Sequence, residues 1–190
     1  QAGVTVIGLG DQAQHALPEP ARQALDHYVQ VGSLASDDQV AATVRDLSRH
    51  VRIDQVECLW EPYMVLAARL REELGLPGLT VAQTVPFRDK ELMKQLLDAA
   101  GLRTPWHVAA ATVAEVWAAA ERVGYPLIVK PIDGAGSADT YRVDSAAELD
   151  AVLPAIRHVP HVSVEEFIDA EEFTYDTICA GGQVLFENIC

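Results

Sequence analysis

Short apolar runs in this chain alternate with capped amphipathic stretches, and that order leaves few folds open. "VTVIGL" (residues 4–9), "YVQVGS" (28–33) and "DQVECLW" (54–60) are apolar, largely β-branched runs of strand length. A helical stretch is expected over about residues 22–28, confined to the chain after Pro18 and Pro20. Ser36 and Gln39 make a capping box that opens a helix running to about Val51. Pro62 stands at a first helical position, and Gly75 and Pro77 stop that helix after about Leu74. Strands that alternate with helices predict an α/β, Rossmann-like parallel sheet with helices on its faces.

The pattern changes in the second half. "RDKELMKQLLDAAG" (88–101) is amphipathic and ends in glycine, so it reads as a helix. Thr112 with Glu115 caps "VAEVWAAAERVG", and Ser145 with Glu148 caps a helix reaching about Arg157. "PLIVKP" (126–131), "TYRV" (140–143), "HVSVEEFI" (161–168), "EFTYDTICA" (172–180) and "QVLFENI" (183–189) read as strands, the last two joined by Gly181-Gly182 as a hairpin. This half is expected to be α+β with an antiparallel sheet. The change falls at residues 81–87, giving regions 1–85 and 86–190.

Composition removes several function classes. The net charge of the 190 residues is −14, from 14 basic and 28 acidic side chains. A binder of nucleic-acid backbones is usually basic, so nucleic acid is disfavoured. Three cysteines at wide spacing, Cys58, Cys179 and Cys190, outline neither a disulfide framework nor a zinc site. A reducing, cytoplasmic setting fits them best. No run reaches membrane-span length, and the start "QAGVTVIGLGD" has no basic signal region. A first residue other than Met, and a last stretch "VLFENIC" that stops inside a strand pattern, read as a fragment of a longer protein.

Four stretches carry candidate chemistry. "GLGDQA" (8–13) partly matches a dinucleotide fingerprint, but "YVQVGS" ends in no acid and two prolines follow closely. A tight strand-to-loop turn is the favoured reading. Lys130 ends an apolar strand, where an unpaired ammonium would be costly. It either snorkels to solvent at a sheet edge or contacts a phosphate. Gly134, Gly136 and Ser137 favour the second, since glycines let backbone N–H groups approach an anion and Ser adds a hydroxyl. The spacing is not that of a Walker loop. In "VSVEEFIDAEEFTYD" (162–176), Glu165 and Glu166 are adjacent and point to opposite faces, and Glu172 is expected to begin the next strand. That stretch is either a solvated edge strand or a hinge whose backbone pairs with a purine while an acid accepts ribose hydroxyls. Lys90 taken alone is an ordinary helix lysine. Glu61, at the end of the third expected strand, either orients a substrate or caps the following helix.

"RDKELMKQLLDAAGLRTP", "GYPLIVKPIDGAGS" and "VSVEEFIDAEEFTYD", in that order, resemble the ATP-grasp superfamily preceded by its Rossmann-like N-terminal domain. The resemblance spans the chain and is most specific over residues 86–178. It implies a linking helix (88–100), a lid subdomain (about 112–190) and ATP-dependent ligation through an acylphosphate. The ATP contacts it implies are Lys90, Lys130, Gly134, Gly136, Ser137, Glu165, Glu166, Ile168 and Glu172. Many members carry Lys at the position of Glu166, and Arg-Gly where this chain has Ala138-Asp139. Mg2+ is expected for the parent protein, with its ligands and the catalytic arginine downstream and no metal site within these residues. The 190 residues alone are accordingly expected to be inactive. "CLWEPYMVLAARLREELGLPG" followed by "FRDKELMK" looks most like the carboxylate–amine (amino-acid) ligase branch. Carbamoyl-phosphate-synthase-like and biotin-carboxylase-like enzymes stay open, as does a non-catalytic nucleotide-binding module. The partners implied are small carboxylates and amines, without nucleic acid or membrane, in a chain compatible with a homodimer.

Overall fold

β1 (Ile7–Gly10) and β2 (His27–Gln30) run in parallel, Ile7 opposite His27 and Gly10 opposite Gln30. The glycines of "GLGDQA" are explained by packing. A Cβ on Gly8 would stand 2.7 Å from Leu25 Cδ1, and one on Gly10 would stand 2.5 Å from Tyr28 Oη. Tyr28 Oη is itself fixed, donating to the Gln12 carbonyl at 2.7 Å. No α-helix opens at Asp11, as a dinucleotide fingerprint requires; a 3-10 turn over Gln14–Ala16 follows instead.

The computed structural model describes residues 3–190, which divide after Ala99 into two compact units. In the first, α1 (Glu19–Ala24) begins before Pro20, earlier than expected. A proline in the first turn sacrifices no helical hydrogen bond. α2 (Asp37–Leu47) ends short of Val51, and the Ser36 side chain makes no capping bond. The third expected strand is corrected too. Residues 52–59 join no ladder, and the parallel sheet has two strands among the described residues. The segment is held by other means. Arg71 Nη1 donates to the Val56 carbonyl at 2.9 Å, and Ile53 and Val56 pack on the core formed by Val31, Val40, Ala41, Val44, Leu66 and Leu70. α3 (Met64–Leu74) follows a 3-10 turn that contains Pro62, and Gly75, left-handed at φ 65°, closes it. α4 (Val81–Thr84) was not legible beforehand, although Thr80 and Gln83 form a complete capping box. α5 (Lys90–Ala99) is the expected amphipathic helix.

The second unit is built on a four-stranded antiparallel sheet in the order β3-β6-β4-β5. The strands are β3 (His107–Ala110), β4 (Leu127–Pro131), β5 (Tyr141–Val143) and β6 (Val162–Glu166). β3 went unread in the sequence. One face, with Leu127, Val129, Val143, Val162 and Val164, packs on α6 (Val113–Val123) and α7 (Ala146–Val152), burying Val116, Ala119, Ala120 and Leu149. β6 lies between two strands, so the solvated-edge reading of "VSVEEFI" is corrected. β7 (Tyr175–Ala180) and β8 (Gln183–Ile189) form the predicted hairpin. Gly181 and Gly182 both take positive φ (57° and 75°) at its turn.

The N-terminus of α6 gives a direct test. Glu115 N donates to Thr112 Oγ1 at 3.2 Å, and Glu115 Oε2 accepts from Ala111 N at 2.7 Å and Thr112 N at 3.1 Å. These donors, the Ala111 amide foremost, hold the Glu115 carboxyl below its ordinary value. A depressed carboxyl stabilises the fold above its ordinary pKa and loses that contribution as pH falls through the depressed value. Thr112→Ala is expected to cost about 1 kcal/mol at neutral pH in urea unfolding. A smaller difference between the proteins is expected once Glu115 is protonated in acid.

Candidate functional site

Strand alternation sorts the candidate residues. On β4, Leu127, Val129 and Pro131 face the helices, which places Ile128 and Lys130 on the second face of the sheet. In register beside them, Ser163 lies opposite Lys130, Glu165 opposite Ile128, and His107 opposite Glu165. Lys130 Nζ meets Glu165 Oε2 at 2.9 Å, with the glutamate side chain 4% exposed and the lysine 24%. β4 lies between β6 and β5, so Lys130 does not snorkel at a sheet edge. Burying the carboxylate is tolerable because the ammonium is beside it. Ser163 Oγ, on the same face, is buried with no hydrogen-bond partner among the described residues. An orphan buried hydroxyl costs about 1–3 kcal/mol, and a polar ligand at this face would relieve it.

Glu166 turns the other way. Its carboxylate accepts from Arg103 Nη2 at 3.1 and 3.0 Å and from Trp106 N at 3.1 Å. Glu166 N donates to Trp106 O at 2.8 Å, and Phe167 N to Pro126 O at 3.3 Å. The Phe167 ring lies 4.1 Å from the Arg142 guanidinium carbon. Ile168 follows, 42% exposed. Glu172 does not begin a strand, a correction: it lies in the exposed, unladdered run before β7, which starts at Tyr175. The structure thus brings Lys130, Ser163 and Glu165 together and sets the Glu166 side chain apart from them.

The glycine loop leaves β4 directly. A Cβ on Gly134 would stand 3.0 Å from Pro131 Cβ. Gly136 takes φ 63°, and Ser137 and Asp139 are left-handed as well, at 59° and 52°. Asp139 Oδ2 lies 3.1 Å from His158 Nε2.

In the first unit, Lys90 is the first residue of α5. Glu61 opens the 3-10 turn ahead of α3 without capping it, because its Oε1 is engaged by Arg88 Nη1. The capping alternative and its place at a strand end both fall. Sequence reasoning missed Arg103, Ser163 and His158. Ser163 carried a signal, since it stands two residues before Glu165 and so shares its face. Arg103 and His158 are distant in sequence from what they touch and carried none. Among the described residues, no three His, Cys, Asp or Glu side chains gather as a metal ion would need.

A two-unit α/β chain with a small parallel sheet, an antiparallel sheet and a lysine-ended strand feeding a glycine loop defines the class. Residues 1–78 match the ATP-grasp N-terminal domain, and residues 87–190 match the ATP-grasp domain. The chain belongs to the ATP-grasp family. It is 32% identical over 128 residues to a D-alanine–D-alanine ligase of Pseudomonas fluorescens (strain Pf0-1), covering 61% of this chain and 40% of that protein. It is 23% identical over 171 residues to an L-arginine-specific L-amino acid ligase of Bacillus subtilis, covering 86% and 41%. The crystal structure of an L-amino acid ligase from Bacillus licheniformis superposes with a TM-score of 0.76 at 27% identity, covering 95% of this chain and 48% of that one. The chain therefore spans half or less of the length of these relatives. No helix among the described residues is long and apolar enough to cross a membrane.

Proposed function

We propose that this chain is the ATP-binding part of an ATP-dependent carboxylate–amine ligase of amino-acid type that works through an acylphosphate. The observation that carries the reading is the pairing of Lys130 with the buried Glu165 beside an orphan Ser163 hydroxyl on β6, Lys130 standing near the end of β4, which runs on into the glycine loop. Lys130 supplies a cation for the phosphates, the role that the family resemblance also assigns to Lys90. The backbone amides of residues 134–137 close over them, with Gly134 and Gly136 keeping the approach free of side chains and Ser137 adding a hydroxyl. Adenine lies along the strip from Glu165 to Ile168, and Glu172, free of any ladder, accepts ribose hydroxyls. Glu166 contributes as a structural tie, since Arg103 and Trp106 occupy its carboxylate.

Glu61 with Arg88 is the candidate substrate contact. Its carboxylate suits an amine and its guanidinium suits a carboxylate, the two groups an amino-acid ligase joins. In function the division falls at residue 85/86, with the 88–100 helix serving the grasp region. Mg2+ would screen the phosphates. Cytoplasmic placement fits the free thiols at Cys58, Cys179 and Cys190. A non-catalytic nucleotide module is a second reading, favoured by Ala138-Asp139 in the loop; carbamoyl-phosphate-synthase-like and biotin-carboxylase-like chemistry has no such support.

Coverage of half or less of the ligase relatives supports the expectation that the 190 residues hold nucleotide without turning it over. Incubation with ATP, Mg2+ and mixtures of amino acids is expected to release no phosphate above the protein-free rate. Amino-acid-dependent phosphate release by these residues alone would overturn that division of labour.

A further inference from the structure

We propose that His158 is a positioning residue for the glycine loop, holding the Asp139 carboxylate out of the path of an anionic ligand. The inference rests on the reading of residues 134–137 as a phosphate loop and explains how an acid is tolerated next to it. Gly136, Ser137 and Asp139 all take left-handed φ, at 63°, 59° and 52°. Two of the three carry a Cβ, so the conformation costs free energy that other contacts must offset. Three bonds within residues 135–140 are long: Ala138 N to Ala135 O at 3.4 Å, Thr140 N to Ser137 O at 3.3 Å, and Thr140 Oγ1 to Ala138 O at 3.4 Å. The Asp139–His158 contact, at 3.1 Å, is shorter than any of these.

The other end of this tie is anchored. His158 lies in the turn after α7, beside Ile156, which is 5% exposed, and Val159 N donates to Ile156 O at 2.9 Å. The imidazole itself is 61% exposed, so its anchor is the backbone of this turn, while the carboxylate, 32% exposed, belongs to a loop of mostly exposed residues. With His158 removed, Asp139 is free to rotate, and its charge can approach the phosphates. A unit negative charge added a few ångströms from a triphosphate in a solvent-exposed site weakens binding by about three- to tenfold.

The test uses the 190-residue chain and four proteins: wild type, His158→Ala, Asp139→Asn, and the double variant. Without nucleotide, His158→Ala is expected to raise amide hydrogen exchange at residues 136–140 severalfold, with β4 and β6 unchanged. With ATP as the probe, its Kd is expected to rise by about three- to tenfold. Adding Asp139→Asn to His158→Ala is expected to restore most of the affinity without restoring protection of the loop. A merely structural role for His158 would leave the gain from Asp139→Asn equal in the wild-type and His158→Ala backgrounds, whereas the proposal expects a larger gain in His158→Ala. Unchanged exchange at 136–140 in His158→Ala, or a double variant as weak as His158→Ala, would overturn the proposal. Failure of the wild type to bind ATP at all would instead overturn the phosphate-loop reading beneath it, and the exchange result separates the two failures.

Discussion

Lys130→Met is expected to destabilise the second unit by about 2–4 kcal/mol. The substitution keeps most of the apolar stem and removes the ammonium that lies 2.9 Å from Glu165 Oε2. Glu165, 4% exposed in its side chain, then keeps its carboxylate without the Lys130 ammonium in a place water hardly reaches. Breaking one half of a buried pair costs more than the pair contributes, because the remaining charge is poorly solvated. Glu165→Gln in the same background is expected to recover a large part of the loss, since a neutral amide tolerates burial better. Urea unfolding of the single and double variants gives both numbers. Equal stability of Lys130→Met and wild type would mean that the pair is dispensable and that Lys130 is held by something else.

The other large effect lies in the first unit. Arg71 is 8% exposed, and its Nε and Nη2 donate to the Leu79 carbonyl at 3.2 and 3.1 Å while Nη1 donates to Val56 O at 2.9 Å. One guanidinium thus ties α3 to two segments that have no ladder or helix of their own. Gly78 makes room for it: a Cβ there would stand 2.6 Å from Arg71 Cδ, on a backbone at φ 130°. Arg71→Ala removes these bonds, leaves carbonyls without their donor and opens a cavity. A loss of about 3 kcal/mol is expected in urea unfolding. Arg71→Lys is expected to recover less than half of it, because a single ammonium cannot serve two separated carbonyls as the planar fork does. Raised hydrogen exchange at residues 54–58 and 78–81 would locate the loss.

What was legible in the sequence followed from local rules. The capping box at Thr112, the glycine stop at Gly75 and the hairpin at Gly181-Gly182 each act over a few residues, and each was placed correctly. Some misreadings were local, such as the Ser36 cap that does not form and the Thr80 capping box that went unread, but those that changed the sheets were non-local. "DQVECLW" has the composition of a strand but finds no ladder partner, its Val56 carbonyl going to Arg71 fifteen positions on. "HVAA" is a strand because β6, more than fifty residues later, pairs with it. The site divides the same way. Lys130, the glycine loop and the Glu165–Glu166 pair stand out as residues that break a local pattern. Ser163 could be placed on the Glu165 face by alternation, whereas Arg103 and His158 break no local pattern and emerge only once the fold is assembled. Glu172 was misplaced for a related reason: apolar neighbours made it look like a strand residue, whereas the ladder begins at Tyr175.

The central claim is that the Lys130 face binds a nucleotide, and thermal denaturation of the chain with ATP tests it most directly. A ligand that binds the native state raises its stability in proportion to the logarithm of its concentration over Kd. The account predicts a transition that climbs with ATP for the wild type, climbs little with NADH, and is insensitive to ATP in Lys130→Ala. Equal stabilisation of the wild type and Lys130→Ala by ATP would contradict it.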